Sequence, residues 1–208
     1  EVDPKFIEIQ INSILEDIGV DVIKIGMLFN ASVIKTVAKG LREIKNCPIV
    51  LDPVMFAKSG DRLLQEDAVE SIKNELFPLA TIITPNIPEA EALLDYSIES
   101  LESMQQAAIC LNKLVPKAVV VKGGGLSGCT SDDCLVIEGG NPLWLKQERI
   151  ETKNLHGTGC TFSSAVAAFL ARSYNLENAI KEAKNYLTQA LIAGADKNFG
   201  HGKGPVMH

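Results

Sequence analysis

The residues best suited to chemistry lie in the run His156-Gly157-Thr158-Gly159-Cys160-Thr161. An apolar stretch with helical spacing follows directly, so the glycines lie just before or within the first turn of a predicted helix. Glycines in this place let backbone N–H groups converge on one point, where the helix dipole adds positive potential. Donors fixed in this way can stabilise the charge that develops on a phosphoryl group during transfer. The run therefore predicts an anion site, with residues 157–160 as its backbone donors.

Cys160 adds a thiol to that first helical turn. A thiolate at a helix N-terminus could act as a general base. Alternatively, the glycines form an ordinary tight turn and Cys160 is a small packing residue. The run is not a Walker loop, because no Gly-x-x-x-x-Gly-Lys-Ser/Thr occurs, and it lacks the third glycine of a dinucleotide site. Zinc is disfavoured, because no second ligand pair accompanies His156 and Cys160.

Two carboxylates follow predicted buried strands. Asp52 ends the strand that starts at Pro48, and an acid there is costly unless it is paired or used. Glu89 lies one turn beyond the strand 81–84, where a carboxylate can hold Mg²⁺ through water. The alternatives are an ordinary strand-to-loop turn at Asp52 and a first-turn helix acid, favoured by the dipole, at Glu89.

Lys122 ends the predicted strand that starts at Ala118, and Gly123, Gly124 and Gly125 follow it. An ammonium group at a strand end, with glycines after it, fits a contact with a phosphate. The alternative is an ordinary solvated lysine.

Short apolar strands alternate with helices along the chain, which is typical of an α/β fold with a parallel sheet covered on both faces. The segments 135–137 and 143–150 predict an antiparallel hairpin at one edge. Strands are predicted near 20–26, 48–52, 81–84 and 118–122, and helices near 4–18, 31–45, 65–77, 85–94, 101–114, 158–173 and 176–197. Ligands of open α/β sheets bind beyond the carboxyl ends of the strands, so we expect one domain, residues 1–208, with its chemistry on that edge.

The composition argues against several classes of function. A net charge of −6 and scattered basic residues argue against nucleic acid or an anionic membrane as the partner. No apolar stretch approaches the roughly 20 residues needed to span a bilayer. Five cysteines without a Cys-x-x-Cys pair, and no recognisable signal peptide, lead us to expect a reducing cytoplasm.

Together these motifs resemble those of the hydroxymethylpyrimidine and phosphomethylpyrimidine kinases, a branch of the ribokinase-like superfamily. Gly157-Thr158-Gly159-Cys160 is similar to the anion-hole motif of that superfamily, and the final cysteine is typical of this branch. The run 84–89 resembles its Asn-x-x-Glu element. Four further runs match in the expected order: Lys24-Ile25-Gly26-Met27-Leu28, Leu51-Asp52-Pro53-Val54-Met55, Val121-Lys122-Gly123-Gly124 and the closing run 200–205.

The resemblance implies a ribokinase-like fold and ATP-dependent phosphorylation of 4-amino-5-hydroxymethyl-2-methylpyrimidine, then of its monophosphate, for thiamine biosynthesis. It implies ATP and Mg²⁺ as cofactors, a small pyrimidine as the substrate, and a homodimer. Residues 58–61 are similar to a mobile flap of the family. A pyridoxal kinase, which shares the Gly-Thr-Gly-Cys motif, and a nucleotide-binding domain without turnover are the alternatives.

Roles for individual residues follow from the same resemblance. Cys160 would approach the substrate hydroxyl, while the amides of Gly157, Thr158, Gly159 and Cys160 would hold the phosphoryl group. Asp52 and Glu89 would place Mg²⁺. The nucleotide and its phosphates would contact Lys122, Gly123, Thr84 and Asn86, and the pyrimidine pocket would be lined by Met27, Val54 and Cys160.

The beginning of the chain departs from the family pattern. Residue 1 is not Met, and neither the family's leading strand nor its glycine-rich Asp-Pro-Ser-Gly-Gly loop occurs in this sequence. We expect that an upstream segment, which would contact the pyrimidine, precedes Glu1.

Overall fold

Six strands form one sheet whose spatial order follows the chain order. The computed structural model describes residues 2–57, 60–115, 117–198 and 200–208. The strands are β1 (Ile23–Ile25), β2 (Ile49–Leu51), β3 (Ile82–Ile83), β4 (Ala118–Val121), β5 (Asp133–Ile137) and β6 (Leu143–Leu145). Strands β1 to β4 are parallel to one another, whereas β5 is antiparallel to both of its neighbours, β4 and β6. The prediction of a mostly parallel sheet with an antiparallel edge hairpin is confirmed.

Seven α-helices accompany this sheet in the described residues. They are α1 (Pro4–Asp17), α2 (Ala31–Arg42), α3 (Ala68–Ser71), α4 (Ile87–Leu94), α5 (Leu101–Asn112), α6 (Thr158–Ala171) and α7 (Leu176–Gly194). None of the described helices is long and apolar enough to cross a bilayer.

The segment predicted as one helix near 65–77 is more irregular than expected. It begins only at Ala68, continues as a π-helical stretch at Ile72–Leu76 and ends as a 3-10 turn at Phe77–Leu79. Pro78 has no N–H to donate and fixes φ, so the helix cannot continue through it. The end of the helix was therefore readable from the sequence, whereas the π stretch was not.

The core lies in two layers, one on each face of the sheet. Successive side chains of a strand point to opposite faces. Accordingly Val119 and Val121 of β4 pack with α2, α4 and α5, while Ala118 and Val120 pack with α6 and α7. The four residues of β4 are fully buried, as a strand covered on both faces must be. Helices therefore cover both faces, as predicted.

Candidate active site

Asp52 is a buried acid at the carboxyl end of β2, and its carboxylate is fully engaged. Oδ1 accepts hydrogen bonds from Nζ of Lys122 at 2.8 Å and from Oγ1 of Thr84 at 3.2 Å. Oδ2 accepts one from Oγ of Ser163 at 3.2 Å. These partners come from just after β4, from just after β3 and from α6, so the carboxylate joins three elements at one edge of the sheet.

Lys122 follows the last residue of β4 and provides the cation of this cluster. Its backbone N–H donates to the carbonyl of Pro85 at 2.9 Å, which fixes the lysine beside Asn86. Burial alone would lower the pKa of Lys122, but the carboxylates of Asp52 and Glu89 raise it above its usual value. The ammonium group therefore stays charged although its side chain is only 14% exposed.

The glycine turn lies directly on the Lys122–Asp52 ion pair. Gly157 is the N-cap of α6 with φ +88°, a left-handed conformation that glycine adopts without strain. A Cβ placed on Gly159 would lie 3.1 Å from Nζ of Lys122 and 3.7 Å from Oδ2 of Asp52. The absence of a side chain at residue 159 thus lets the start of α6 approach the ammonium group.

Residues 204–206, near the end of the sequence, form hydrogen bonds with His156, which directly precedes the glycine turn. His156 donates its N–H to the carbonyl of Gly204 at 3.0 Å and accepts from the N–H of Val206 at 3.0 Å. Gly204 and Val206 are both buried. The run 200–205, which resembles the family's closing motif, therefore leads into a short pairing next to Gly157.

Cys160, Met27 and Val54 lie at the same edge of the sheet. Cys160 is exposed in the first turn of α6, and α6 packs on β1 and β2. Met27 follows β1 and is 52% exposed, whereas Val54 follows β2 and is half-buried. Of the three predicted substrate-binding residues, two thus follow neighbouring strands and the third lies on the helix packed against those strands.

Glu89 and Asn86 form a capping box at the start of α4. The N–H of Asn86 donates to Oε2 of Glu89 at 2.8 Å, and the N–H of Glu89 donates to Oδ1 of Asn86 at 3.0 Å. Burial raises the pKa of Glu89 to about 7, against the opposing charge of Lys122 and with support from Asp52. Glu89 therefore caps the first turn of α4, and its carboxyl group, whose pKa is raised, also interacts with the charges of Asp52 and Lys122.

The cluster has the chemistry that a hydrated divalent cation requires. Among the described residues, no group of three or more Asp, Glu, His or Cys side chains forms a ready metal cage. Mg²⁺ does not need one, because it is often held by one or two carboxylates, waters and substrate phosphates. When Glu89 is ionised, two carboxylates face one ammonium, and the excess negative charge would be relieved by such a cation. Asp52 and Glu89 fit Mg²⁺ in this way.

Two predicted nucleotide contacts already have partners within the protein. The Thr84 side chain is fully buried, with its hydroxyl on Asp52. The N–H of Gly123 donates to Oδ1 of Asp133 at 2.9 Å. Both residues border Lys122 or Asp52, and their direct contact with a nucleotide stays a prediction. Lys58 and Ser59 of the expected flap lie outside the described residues.

Ser163 was missed by the sequence reasoning although it binds Asp52. Its hydroxyl also contacts the carbonyls of Gly159 and Cys160 at 3.1 and 3.2 Å. The available signal was a serine one turn after Gly159 on an apolar helix, because a buried hydroxyl needs a partner.

The sequence and the fold are similar to those of known kinases. A family profile described as phosphomethylpyrimidine kinase matches residues 1–207. A thiamine biosynthesis bifunctional protein ThiED of Geobacter sulfurreducens is 44% identical over 207 residues, which cover 100% of this chain and 42% of that protein. The hydroxymethylpyrimidine/phosphomethylpyrimidine kinase of Escherichia coli K12 is 40% identical over 209 residues, covering 100% of this chain and 78% of that enzyme.

A solved structure gives the likeness in three dimensions. The pyridoxal kinase of Staphylococcus aureus in complex with ADP superimposes with a TM-score of 0.90 at 31% sequence identity. The match covers 100% of this chain and 74% of that one. The sheet order and the edge that carries Asp52, Lys122 and Gly159 thus belong to a fold that also occurs in a nucleotide-binding kinase.

Proposed function

The chain belongs to the phosphomethylpyrimidine kinase family, and on that premise we propose that it transfers the γ-phosphoryl group of ATP to a hydroxymethylpyrimidine. The first acceptor is 4-amino-5-hydroxymethyl-2-methylpyrimidine, and the second is its monophosphate. The product is the diphosphate used in thiamine biosynthesis. The two curated relatives named for thiamine biosynthesis or for this kinase activity support the choice of acceptor.

One observation carries the proposal: the start of α6 lies on the buried Lys122–Asp52 pair. A Cβ on Gly159 would be 3.1 Å from Nζ of Lys122, so backbone amides and an ammonium group meet at one place. The first N–H groups of a helix have no intrahelical acceptor and carry positive partial charge. An anion bound there would contact both sets of donors, as a phosphoryl group in transfer requires.

The residues around Lys122 hold its ammonium group in place. Asp52 accepts from it, and Thr84 and Ser163 fix the orientation of the Asp52 carboxylate. Because these groups are positioned before the substrate arrives, little reorganisation remains for the transition state. Lys122 would contact the phosphates, and Mg²⁺, when bound with the nucleotide near Asp52 and Glu89, would supply further positive charge.

Cys160 is our candidate for the group that takes up the proton of the acceptor hydroxyl. Its thiol is exposed in the first turn of α6, beside the amides proposed to hold the phosphoryl group. We assign it the role of a base that removes the hydroxyl proton as the oxygen attacks the γ-phosphorus and ADP leaves. Met27 and Val54, at the same edge, would line the pyrimidine pocket.

Pyridoxal is the second candidate acceptor. The TM-score of 0.90 with a pyridoxal kinase favours it, since the shared edge could serve either aromatic alcohol. A coupled assay of ADP release with the hydroxymethylpyrimidine, pyridoxal and ribose separates the candidates. We expect the highest kcat/KM with the pyrimidine. A higher value with pyridoxal would reassign the acceptor, and activity on ribose alone would overturn the proposal. Nucleotide binding without turnover of any acceptor would favour a binding domain.

Two further proposals concern the surroundings of the protein. We propose a homodimer, following the resemblance, which sedimentation equilibrium would test. We also propose that it works in a reducing cytoplasm, supported by five cysteines that are all free thiols in the structure.

A further inference from the structure

A second buried ion pair lies outside the site described so far. Oδ2 of Asp133, the first residue of β5, accepts from Nζ of Lys184 on α7 at 2.6 Å. The two residues are only 4% and 9% exposed. Lys184 also donates to the carbonyl of Ser131 at 2.7 Å. A buried ion pair contributes little net stability after desolvation, so its position in the fold needs another explanation.

The other oxygen of Asp133 binds a residue next to the candidate active site. Oδ1 accepts the N–H of Gly123 at 2.9 Å, and Gly123 is the residue after Lys122. The same glycine has no space for a side chain, because a Cβ would lie 1.9 Å from the carbonyl oxygen of Asp132. The peptide after Lys122 is therefore held by Asp133 and by close backbone packing.

The backbone of Lys122 is thus fixed on both sides. Its own N–H donates to Pro85, and the next N–H donates to Asp133. A long side chain finds its target reproducibly only if its Cα is fixed. Lys184 binds Asp133, and Asp133 binds the N–H of Gly123. These contacts therefore help to fix the Cα of Lys122, whose ammonium group binds Asp52.

Lys184 compensates the negative charge of Asp133. The negative charge of Asp133 lies close to Lys122, since Oδ1 of Asp133 accepts the N–H of the next residue, Gly123, at 2.9 Å. With Lys184 at 2.6 Å, most of that charge is compensated locally. Lys122 then remains directed at Asp52 and the glycine turn.

We propose that Asp133 and Lys184 are positioning residues for Lys122, which set the affinity for the nucleotide without touching it. The inference rests on the proposed function, because the position of Lys122 matters to affinity only if it binds phosphate. Asp133 acts through its hydrogen bond to Gly123, and Lys184 acts by neutralising Asp133.

Two double variants separate the hydrogen bond from the charges. Asp133→Asn with Lys184→Met removes both charges but keeps a side-chain oxygen for the N–H of Gly123. Asp133→Ala with Lys184→Met also removes the oxygen, and neither variant leaves a buried charge unpaired. We expect the KM for ATP to rise about tenfold or more in the alanine variant, because the loss of one hydrogen bond between an ammonium group and a phosphate weakens binding by about that factor. The asparagine variant should stay within about threefold of the parent.

Lys184→Met alone leaves the Asp133 charge uncompensated. We expect it to raise the KM for ATP, and the added Asp133→Asn change to restore it. The KM for the acceptor should change little in either variant. A merely structural role would lower the amount of active enzyme in Lys184→Met but leave its KM for ATP unchanged.

Asn112→Ala is the matched control. Oδ1 of Asn112 accepts the N–H of Gly139 at 2.8 Å, which is the same kind of bond at the other end of β5. Its loss should reduce stability but leave the KM for ATP unchanged. Equal KM values in the two double variants, or an equal rise in Asn112→Ala, would overturn the proposal.

Calorimetric titration with ADP and amide hydrogen exchange provide readouts that do not depend on turnover. Exchange of the Gly123 amide should accelerate in the alanine double variant and not in the asparagine one. Lys122→Ala is the reference. If it leaves ADP binding unchanged, the proposed function fails at this site. If it weakens ADP binding while the alanine double variant does not, the positioning roles fail alone.

Discussion

At the scale of residues, the site depends on a carboxylate whose charge is matched inside the protein. The side chain of Asp52 is 2% exposed and has Lys122 as its cation. Removing one partner of such a pair leaves an uncompensated buried charge, whereas removing both charges is much less costly. The pair therefore allows binding and stability to be tested separately.

Lys122→Met should destabilise the fold and abolish nucleotide binding. We expect the free energy of unfolding to fall by about 3–5 kcal/mol, because Asp52 remains buried without its cation. Denaturant unfolding and calorimetric titration with ADP measure the two effects. Adding Asp52→Asn should recover much of the stability and none of the affinity. A double variant that binds ADP like the parent would contradict the role of Lys122.

Glu89 predicts how stability depends on pH. Its pKa is about 7 in the folded protein, against 4.5 for an ordinary glutamate. The folded state therefore keeps its proton while the unfolded chain loses it, and stability falls as pH rises from about 4.5 to 7. The total loss is about 3 kcal/mol. Glu89→Gln should remove this fall, so the variant should gain on the parent in denaturant unfolding at about pH 8 relative to pH 5. An unchanged difference would contradict the raised pKa.

Cys160→Ala tests the proposed base. We expect kcat to fall roughly 10²-fold or more, with the KM for ATP little changed, if the thiol removes the proton. Cys129→Ala, at another exposed cysteine, is the control and should keep the parental kcat. A rate for Cys160→Ala close to that of the control would remove the thiol from this role.

Which residues carry polar chemistry was partly predictable, but their pairing was not. Asp52 and Lys122 were recognised as polar residues at strand ends. Asp52 and Lys122 pair because β2, β3 and β4 lie side by side in the sheet. Hydrophobic periodicity predicts the strands but not their order in the sheet. Ser163, Asp133 and Lys184 were missed because each has its buried partner on another element, tens of residues away in the sequence.

At the scale of elements, the start of α6 determines how closely the amides approach Lys122. The two glycines there have different reasons to lack a side chain. Gly157 has a positive φ, whereas Gly159 lies inside the helix with Lys122 at the place of a side chain.

Gly159→Ala and Gly157→Ala should therefore differ in their effect on stability. Alanine is favoured over glycine in a helix by up to about 1 kcal/mol, and Nζ of Lys122 need shift by only a few tenths of an ångström to admit the new Cβ while it stays paired with Asp52. We expect Gly159→Ala to keep or raise the Tm while it weakens ADP binding. Gly157→Ala forces a strained φ and should lower the Tm. Thermal unfolding and calorimetry measure both, and parental ADP affinity in Gly159→Ala would contradict the proposed contact.

Most elements were predictable to within about three residues from hydrophobic spacing and caps. Asp3, directly before Pro4, caps α1, since its side chain accepts the N–H of Lys5 at 2.7 Å. The isoleucines of α1 and its C-cap recur at helical spacing, but only some of them are covered. Ile7 and Ile11 pack on the core, whereas Ile14 and Ile18 are 49% and 79% exposed. Periodicity reveals an apolar face but not what covers it.

At the scale of the whole molecule, the two core layers share one sheet. Each layer includes side chains from β2, β3, β4 and β5. Because alternate residues of one strand belong to opposite layers, disrupting one layer disrupts the other.

Residues 1–208 should therefore unfold in one cooperative transition, as expected for one domain. Trp144 is the single tryptophan and lies on β6 at the edge, so its fluorescence reports on the hairpin. Far-ultraviolet circular dichroism reports mainly on the helices. We expect the two denaturation curves to coincide, and separate midpoints would contradict a single domain.

The pairing of His156 with Gly204 and Val206 has a consequence for protein synthesis. A nascent chain whose residue 206 is still inside the ribosomal tunnel already exposes all six strands, but it cannot hold the turn at Gly157. Affinity for nucleotide should therefore arise late, when this stretch emerges and docks. Ribosome-bound chains stalled before that point could be folded over much of their length and still be unable to retain ADP.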